Sequence, residues 1–539
     1  MSNRPLSALV IDGSAPVRTS LRGILQGFEM TDIDVAASVA DGRRKIGTRK
    51  YDVILCEYHF DGEETGQDLL EQIAANRLQP PPTIFIMVTT EANYPRVMSV
   101  AEITPDEYLL KPIQTAQLSE RLEKAFNRRN ALMELHELLY AERYGAALKT
   151  AQGMLSGGSR YASDVAKIVA QTLCRLKRYN EAAAFYKHIV KTKQLAWAKF
   201  GLAKMSILQG DDATAEAMLV DVINQHLRYM PVYDFLGSFY MERNRHAEAL
   251  AITERALEIS PHSVDRMQVA GQLAFGLGNA EKAASHLERA VSLRNTTAEL
   301  SIRTLFLLAS LRYEEGNSAA GGSMVKQLRA KVADFANLPD QYGMNERQAE
   351  RYAELGSALE VMFNQPLAAI DLMRALAGQW GQLDFDLGFA QDYLAVVARL
   401  YTEDLGPTLS DWVRPIALRF ITGEAVRELF TVRLGSCSQL VGVVNEEAKE
   451  VESIMALAAK LQEEGKPRQA ADSLLVDGQR SLNNRVLLAA AEAAAKLDPA
   501  ESDSALREQA DACLKLMNPP ADDATYLRLT SSMAAETKG

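Results

Sequence analysis

Residues 51–73 read YDVILCEYHFDGEETGQDLLEQI. Asp52 to Cys56 is a short apolar run and is expected to form a buried strand. It ends in an acid, Glu57, and after a polar stretch the pattern turns amphipathic and helical from Gln67 to Ala75. The same alternation extends in both directions. Ser7 to Ile11 is a strand, followed by an acid, a glycine and a helical pattern from Ala15 to Leu25. Asp34 to Ala37, Thr83 to Val88 and Glu107 to Leu110 complete five strands, and Ala116 to Asn127 is a further helix. Apolar strands alternating with helices predict an α/β doubly wound domain, an open parallel sheet covered on both faces.

Such sheets place their site at the carboxyl ends of the strands. The residues there are Asp12 after the first strand, Glu57 after the third, Thr89 and Thr90 after the fourth, and Lys111-Pro112 after the fifth. Two carboxylates, a hydroxyl and an ammonium are expected to converge in one crevice. That set suits a divalent cation and a phosphoryl group: acids ligate the metal, while lysine and threonine contact phosphate oxygens.

The stretches VIDGSAPVRTSL, YDVILCEYHFDGEETGQDLLEQI, IMVTTEA and PDEYLLKPI, in this order, resemble the response-regulator receiver family over residues 7 to about 128. The resemblance implies a flavodoxin-like receiver domain at 1–128. It also implies that Asp12 and Glu57 ligate magnesium, with the backbone carbonyl of His59 completing the shell. Glu57 takes the phospho-acceptor position, and Thr89, Tyr108 and Lys111 form the switch. The sequence departs from the family twice. Gly13 stands where a second acid follows the first strand, and Glu57 stands where an aspartate accepts the phosphoryl group. Glutamate is one methylene longer, and small misplacements of a reacting group are costly. Gly13 removes a ligand from a site that favours near-octahedral oxygen geometry. Both changes oppose phosphorylation, so a pseudo-receiver is expected, requiring no cofactor and disfavouring magnesium. Glu57 reaching Lys111 would imitate a phosphorylated acid; a relic of lost activity is the other reading of the same residue. The alternative function is a working phospho-receiver that switches the repeats described next.

From residue 130 to 330 the chain repeats. Short turns fall at Glu142, Lys177, Gly210, Asn244 and Gly278, spaced by 35, 33, 34 and 34 residues. Five positions after each turn stands an alanine: Ala147, Ala182, Ala215, Ala249 and Ala283. The unit from Met230 to Ser263 carries Tyr233, Leu236, Gly237, Tyr240, Ala249, Ala256 and Pro261, with Thr253 at an aromatic position. A period near 34 with paired helices resembles the tetratricopeptide repeat (TPR), which implies an all-α solenoid with small residues at tight helix contacts. The unit near Trp197 keeps Phe200 and Gly201, and a degenerate unit is expected around Gly316. The array implies a concave groove for peptide segments. Its expected lining is Lys167, Gln171, Arg175, Asp234, Ser238, Gln268 and Gln272.

Residues 340–517 are expected to be helical hairpins, partly TPR-like, with Gly465 and Ala470 repeating the turn-plus-five spacing. Arg414, Arg419, Arg427 and Arg433 read as a basic stripe over an amphipathic helix, most simply a solvated face. Residues 518–539 are expected to form a flexible tail. Seventy acids against 59 bases give a net charge of −11, which disfavours nucleic acid and anionic membranes. The start of the chain lacks the apolar stretch of a signal peptide, and no apolar run is long enough to cross a membrane. Four scattered cysteines suggest free thiols rather than disulfides or zinc. The expectation is a cytoplasmic, non-enzymatic bacterial signalling protein of the two-component type. It would bind a histidine kinase or another signalling protein through its receiver face and TPR groove.

Overall fold

The structure is a computed structural model. It describes all residues except 1–5, 29, 61–64, 76–82, 91–104, 262, 294–299, 336–343, 363, 498–503 and 518–539. The expected tail at 518–539 lies outside the described residues, as does most of the segment between the fourth and fifth strands. The chain divides into two compact units, Met1–Leu236 and Gly237–Gly539.

The first unit opens with five parallel strands: β1 (Ser7–Ile11), β2 (Asp32–Ala36), β3 (Val53–Glu57), β4 (Ile84–Thr89) and β5 (Glu107–Leu110), in the order β2-β1-β3-β4-β5. Alternate side chains of a strand point to opposite faces, and both faces are filled. Ala8, Val10, Val53, Leu55, Ile84 and Ile86 pack on one side with Leu21, Leu25, Leu118 and Leu122 of the covering helices. Leu9, Ile11, Ile54, Cys56, Phe85 and Met87 pack on the other with Val39, Ile46 and Leu69. This is the doubly wound sheet that the strand composition predicts. The order reverses between β1 and β3, which places the crevice at the ends that carry Asp12 and Glu57.

The helix expected over Ala116 to Asn127 is longer, Thr115–Tyr140, and runs through the expected boundary at residue 128. No glycine or proline interrupts residues 115–144, so nothing local stops it. Its second half buries Leu132 and Leu135 among Leu148, Ala151, Val165 and Val169 of the next helices. The helix therefore closes the sheet at one end and begins the helical array at the other.

The repeat turns share one conformation. Glu142, Lys177, Gly210, Asn244, Gly278, Gly316 and Gly465 all have left-handed backbone, with φ between 56° and 81°. Each ends a helix in the same way. Lys177 N–H donates to Cys174 at 2.9 Å and Arg178 N–H to Leu173 at 3.0 Å; Gly278 and Asn279 bond Phe275 and Ala274 at 3.0 and 2.9 Å. The alanine five residues on is fully buried at 147, 182, 215, 249, 283 and 470; Gly321, buried, takes that place after Gly316. Seven residues before the turn stand Ala170, Ala203, Gly237, Gly271, Ala309 and Ala458, again small and buried. These pairs let the two helices of a hairpin approach closely. A Cβ at Gly271 would collide with Leu287, whereas one at Gly237 would make ordinary contacts with Thr253 Oγ1 at 3.5 Å and Ile252 Cγ2 at 3.7 Å. The expected tight contact at Gly237 is thus relaxed, because Thr253 is smaller than the residue it replaces. Gly201 does not hold the small-residue position of its unit; Ala203 does, and Gly201 packs instead against the Tyr186 ring.

The second unit continues in helices from Met230–Glu242, within which the division falls, to Ser504–Leu516, and includes the Ser438–Glu463 and Pro467–Ser481 hairpin around Gly465. The expected arginine stripe is solvated only in part: Arg414 is exposed, Arg427 and Arg433 are half-buried, and Arg419 is buried. Arg419 is 4% exposed and donates to the carbonyls of Trp380, Gln382 and Leu383. Burial lowers its pKa to about 10. Arg414 pairs with Glu446 and Glu447, and Arg427 with Glu424 and Asn445. Arg433 lies 4.2 Å over the Phe275 ring. All four cysteines are free thiols.

Candidate functional site

The sheet ends bring together three of the residues singled out in the sequence. Asp12 and Glu57 are 1% and 6% exposed, and Lys111 reaches both from the end of β5. Its Nζ lies 2.8 Å from Asp12 Oδ2 and bonds Glu57 Oε2 as well. The longer glutamate side chain folds back on its own loop, so that Oε1 accepts the Tyr58 and His59 N–H groups at 3.1 and 3.4 Å. Asp12 Oδ1 accepts the Ser14 N–H at 2.8 Å. Thr89 is fully buried beside this triangle, at the end of β4, and its carbonyl accepts the Lys111 N–H at 2.9 Å. Tyr108 is half-buried against the cluster formed by Leu9, Ile54 and Phe85, and burial pushes its phenol pKa up. The His59 side chain is exposed and stacks edge-on with Tyr58.

The two carboxylates that would ligate a magnesium ion face the Lys111 ammonium. Three of the four carboxylate oxygens of Asp12 and Glu57 accept hydrogen bonds, and the fourth, Asp12 Oδ2, lies 2.8 Å from the Lys111 ammonium. Position 13 supplies no acid. Among the described residues no group of three His, Cys, Asp or Glu side chains could hold a metal. A dication here would compete with Lys111 for Asp12 and Glu57 and would draw the rest of its octahedron from water.

Three supporting residues escaped the sequence reading. A Cβ on Gly66 would run into the Glu57 carbonyl and sit 2.9 Å from Met87 Sδ and 3.0 Å from Cys56 Sγ. Only glycine lets this helix start so close to the end of β3. Arg18 donates to the Asp12 and Gly13 carbonyls at 2.5 and 3.0 Å, pinning the β1 loop. Arg128 bonds Asp164 at 2.7 and 3.1 Å and Asp106 at 3.4 Å, tying the sheet end to the first repeat hairpins. A glycine after a turn and arginines along a helix carry no signal of these distant partners.

Residues 8–123 match the response regulator receiver domain family, and residues 231–263 match the tetratricopeptide repeat. The chain carries a receiver domain and a TPR. The receiver is similar to the chemotaxis protein CheY of Pseudomonas aeruginosa, 26% identical over 126 residues, covering 23% of this chain and 99% of that protein. It is also similar to chemotaxis protein CheY-3 of Vibrio cholerae, 24% identical over 127 residues, covering 23% and 95%. Two solved structures overlay more of the chain at 13% identity. One is of Naa15/Naa10 bound to HypK-THB, with TM-score 0.28 and coverage of 75% of this chain and 70% of that one. The other is the TPR domain of P58(IPK), with TM-score 0.19 and coverage of 76% and 97%.

The expected groove residues fare differently. In the first unit, Lys167 is half-buried and Gln171 and Arg175 are exposed on one helix, and Asp234 is exposed on another. In the second unit Ser238 is exposed. Gln268 is not available to a peptide: it is 2% exposed, and its amide oxygen accepts the Ser301 N–H at 2.6 Å. Gln272 is half-buried and donates to Ser301 and Thr304 hydroxyls at 3.3 Å. Both glutamines hold the start of the Ile302–Glu314 helix, a structural task that their polar, helix-surface pattern did not reveal.

Proposed function

We propose that this chain is a regulator of the two-component type whose receiver is a pseudo-receiver and whose output is protein–protein interaction through the TPR array. The observation that carries the proposal is the Lys111 ammonium held between the Asp12 and Glu57 carboxylates. Glu57 supplies a permanent negative charge at the acceptor position, and Lys111 is already drawn onto it. The receiver then rests in one signalling state without magnesium and without a phosphoryl group. Its role is to dock or present, not to catalyse. The partner class is a histidine kinase or another signalling protein in the cytoplasm. Among the described residues no helix is long and apolar enough to cross a membrane.

The test is intact-mass analysis of the full chain after incubation with magnesium and acetyl phosphate. The wild type is expected to stay unmodified. Glu57→Asp combined with Gly13→Asp is expected to gain a phosphoryl adduct, since a Cβ at Gly13 meets no atom within 4 Å and the new acid has room. A stoichiometric adduct on the wild type, lost in Glu57→Gln, would establish the working phospho-receiver instead.

A further inference from the structure

The first helices of the hairpins can be compared at one register position, six residues before the turn. There Gln171 and Ser238 are exposed, Lys204 and Gln272 are half-buried, and Ser310 is fully buried. Ten residues before the turn, Asp234 is exposed and Lys167 half-buried, Phe200 is buried against Tyr229 and Phe235, and Gln268 and Phe306 are buried. Polar residues at these two positions are therefore fully buried only from Val264 onward, within the second unit, at Gln268 and Ser310. What covers the inner face there is the chain itself. Arg399 donates to Ser310 Oγ at 2.9 Å and also pairs with Glu314. Arg303 grips the fully buried Asp392 at 2.8 and 3.2 Å, and the Tyr352 hydroxyl donates to the same carboxylate at 2.9 Å. Arg433 stacks over Phe275. A Cβ at Gly276 would stand 3.1 Å from the Gln391 amide oxygen. Asn244, itself a turn residue, donates to Thr422 at 3.2 Å.

We infer that the inner face of the Val264–Gly276 and Ile302–Glu314 helices is permanently filled by the chain's own helices between Leu387 and Leu434, in the place a peptide partner would take. The inference rests on the reading of the array as a partner-binding module and narrows it: peptide recognition belongs to helices before Val264. The contact has the character of a core. Displacing the Leu387–Leu400 helix would break the bonds that Arg303 and Tyr352 make to Asp392 and return the buried Phe389, Leu394 and Val397 to water, a cost of core magnitude rather than that of a rim contact. A displaceable plug would be held by exposed, screened pairs.

The closure can be read without a partner or a phosphoryl donor, so it stands or falls separately from the proposed function. Ser310→Cys and Gln171→Cys are made singly in the full chain, treated with a maleimide under native conditions, and followed by peptide mass spectrometry. That readout separates the new thiols from Cys56, Cys174, Cys437 and Cys513. Gln171→Cys is expected to react as an open thiol, and Ser310→Cys on the order of 100-fold more slowly until denaturant is added. Reaction of the two within 10-fold of each other would overturn the inference. Should Ser310→Cys fail to fold, hydrogen exchange on the unmodified chain decides. Residues 387–400 should exchange as slowly as the Val264–Gly276 helix, and rapid exchange confined to 387–434 would show a segment that comes and goes.

Discussion

Lys111→Met removes the one ammonium from between two buried carboxylates while keeping the side chain's unbranched stem up to the ε position. The Asp12 and Glu57 side chains are 2% and 8% exposed, and that of Lys111 is 19% exposed, so bulk water screens none of them well. Removing one partner of a buried ion pair costs about 3–5 kcal/mol. Glu57→Gln is milder. It keeps the shape and one acceptor, and it leaves the 2.8 Å contact of Lys111 with Asp12, so the loss of a charged hydrogen bond puts it at about 1.5–3 kcal/mol. The double variant discriminates. If Lys111 holds both acids, deleting Glu57's charge relieves the Lys111→Met receiver, and the two effects fall short of their sum by about 1 kcal/mol or more. The assay is hydrogen exchange by mass spectrometry on the full chain, read on peptides covering β1 and β3, because a protein of several domains has no single unfolding free energy. A loss of about 3 kcal/mol appears as exchange on the order of 100-fold faster at those strands. Exchange of Lys111→Met within about 5-fold of wild type, or strict additivity in the double variant, would refute the triangle as the element that fixes the receiver's state.

Two further outcomes follow from the helical part. Ala249→Leu should destabilise the array by about 1–3 kcal/mol through overpacking, since Ala249 is fully buried where two helices of a hairpin meet; thermal unfolding of the full chain followed by circular dichroism should lose its upper helical transition, while exchange at β1 and β3 stays put. His136 sits on the Thr115–Tyr140 helix, where burial first and Arg128 second hold its pKa below the ordinary value, with Asp164 opposing. The unfolded chain takes up that proton as pH falls through about 6.5 and the folded chain does not, so stability drops on acidification. The fall in thermal midpoint between pH 7.5 and 5.5 should be smaller in His136→Gln; equal falls would assign the acid sensitivity elsewhere.

What could be read in advance was whatever depends on near neighbours or on a strict period. The strand ends announced Asp12, Glu57 and Lys111 because a parallel sheet delivers its carboxyl ends to one crevice whatever the helices do. The turns were legible for a similar reason. A left-handed residue followed five positions later by a small residue is a local device, and it recurs at Gly316, with Gly321, and at Gly465, with Ala470, as well as at the five turns that define the period. Illegible were the partners fixed only by tertiary packing. Gln268 looks like groove surface by its register, yet a serine 33 residues away claims its amide. The four arginines between 414 and 433 look like one stripe, yet they go to three carbonyls, three carboxylates and an aromatic ring. Arg303 and Asp392 stand 89 positions apart, and nothing periodic links them. The same division explains why the repeat signal fades after Gly316. A hairpin that stacks only on its neighbours keeps the period, because each unit must solve the same packing problem. Once helices 387–434 lie across the inner face, each position there answers to a different partner. Ser310, Phe275 and Gly276 are then set by Arg399, Arg433 and Gln391 rather than by the repeat. Degeneracy in this part of the array is thus the sequence trace of its closure.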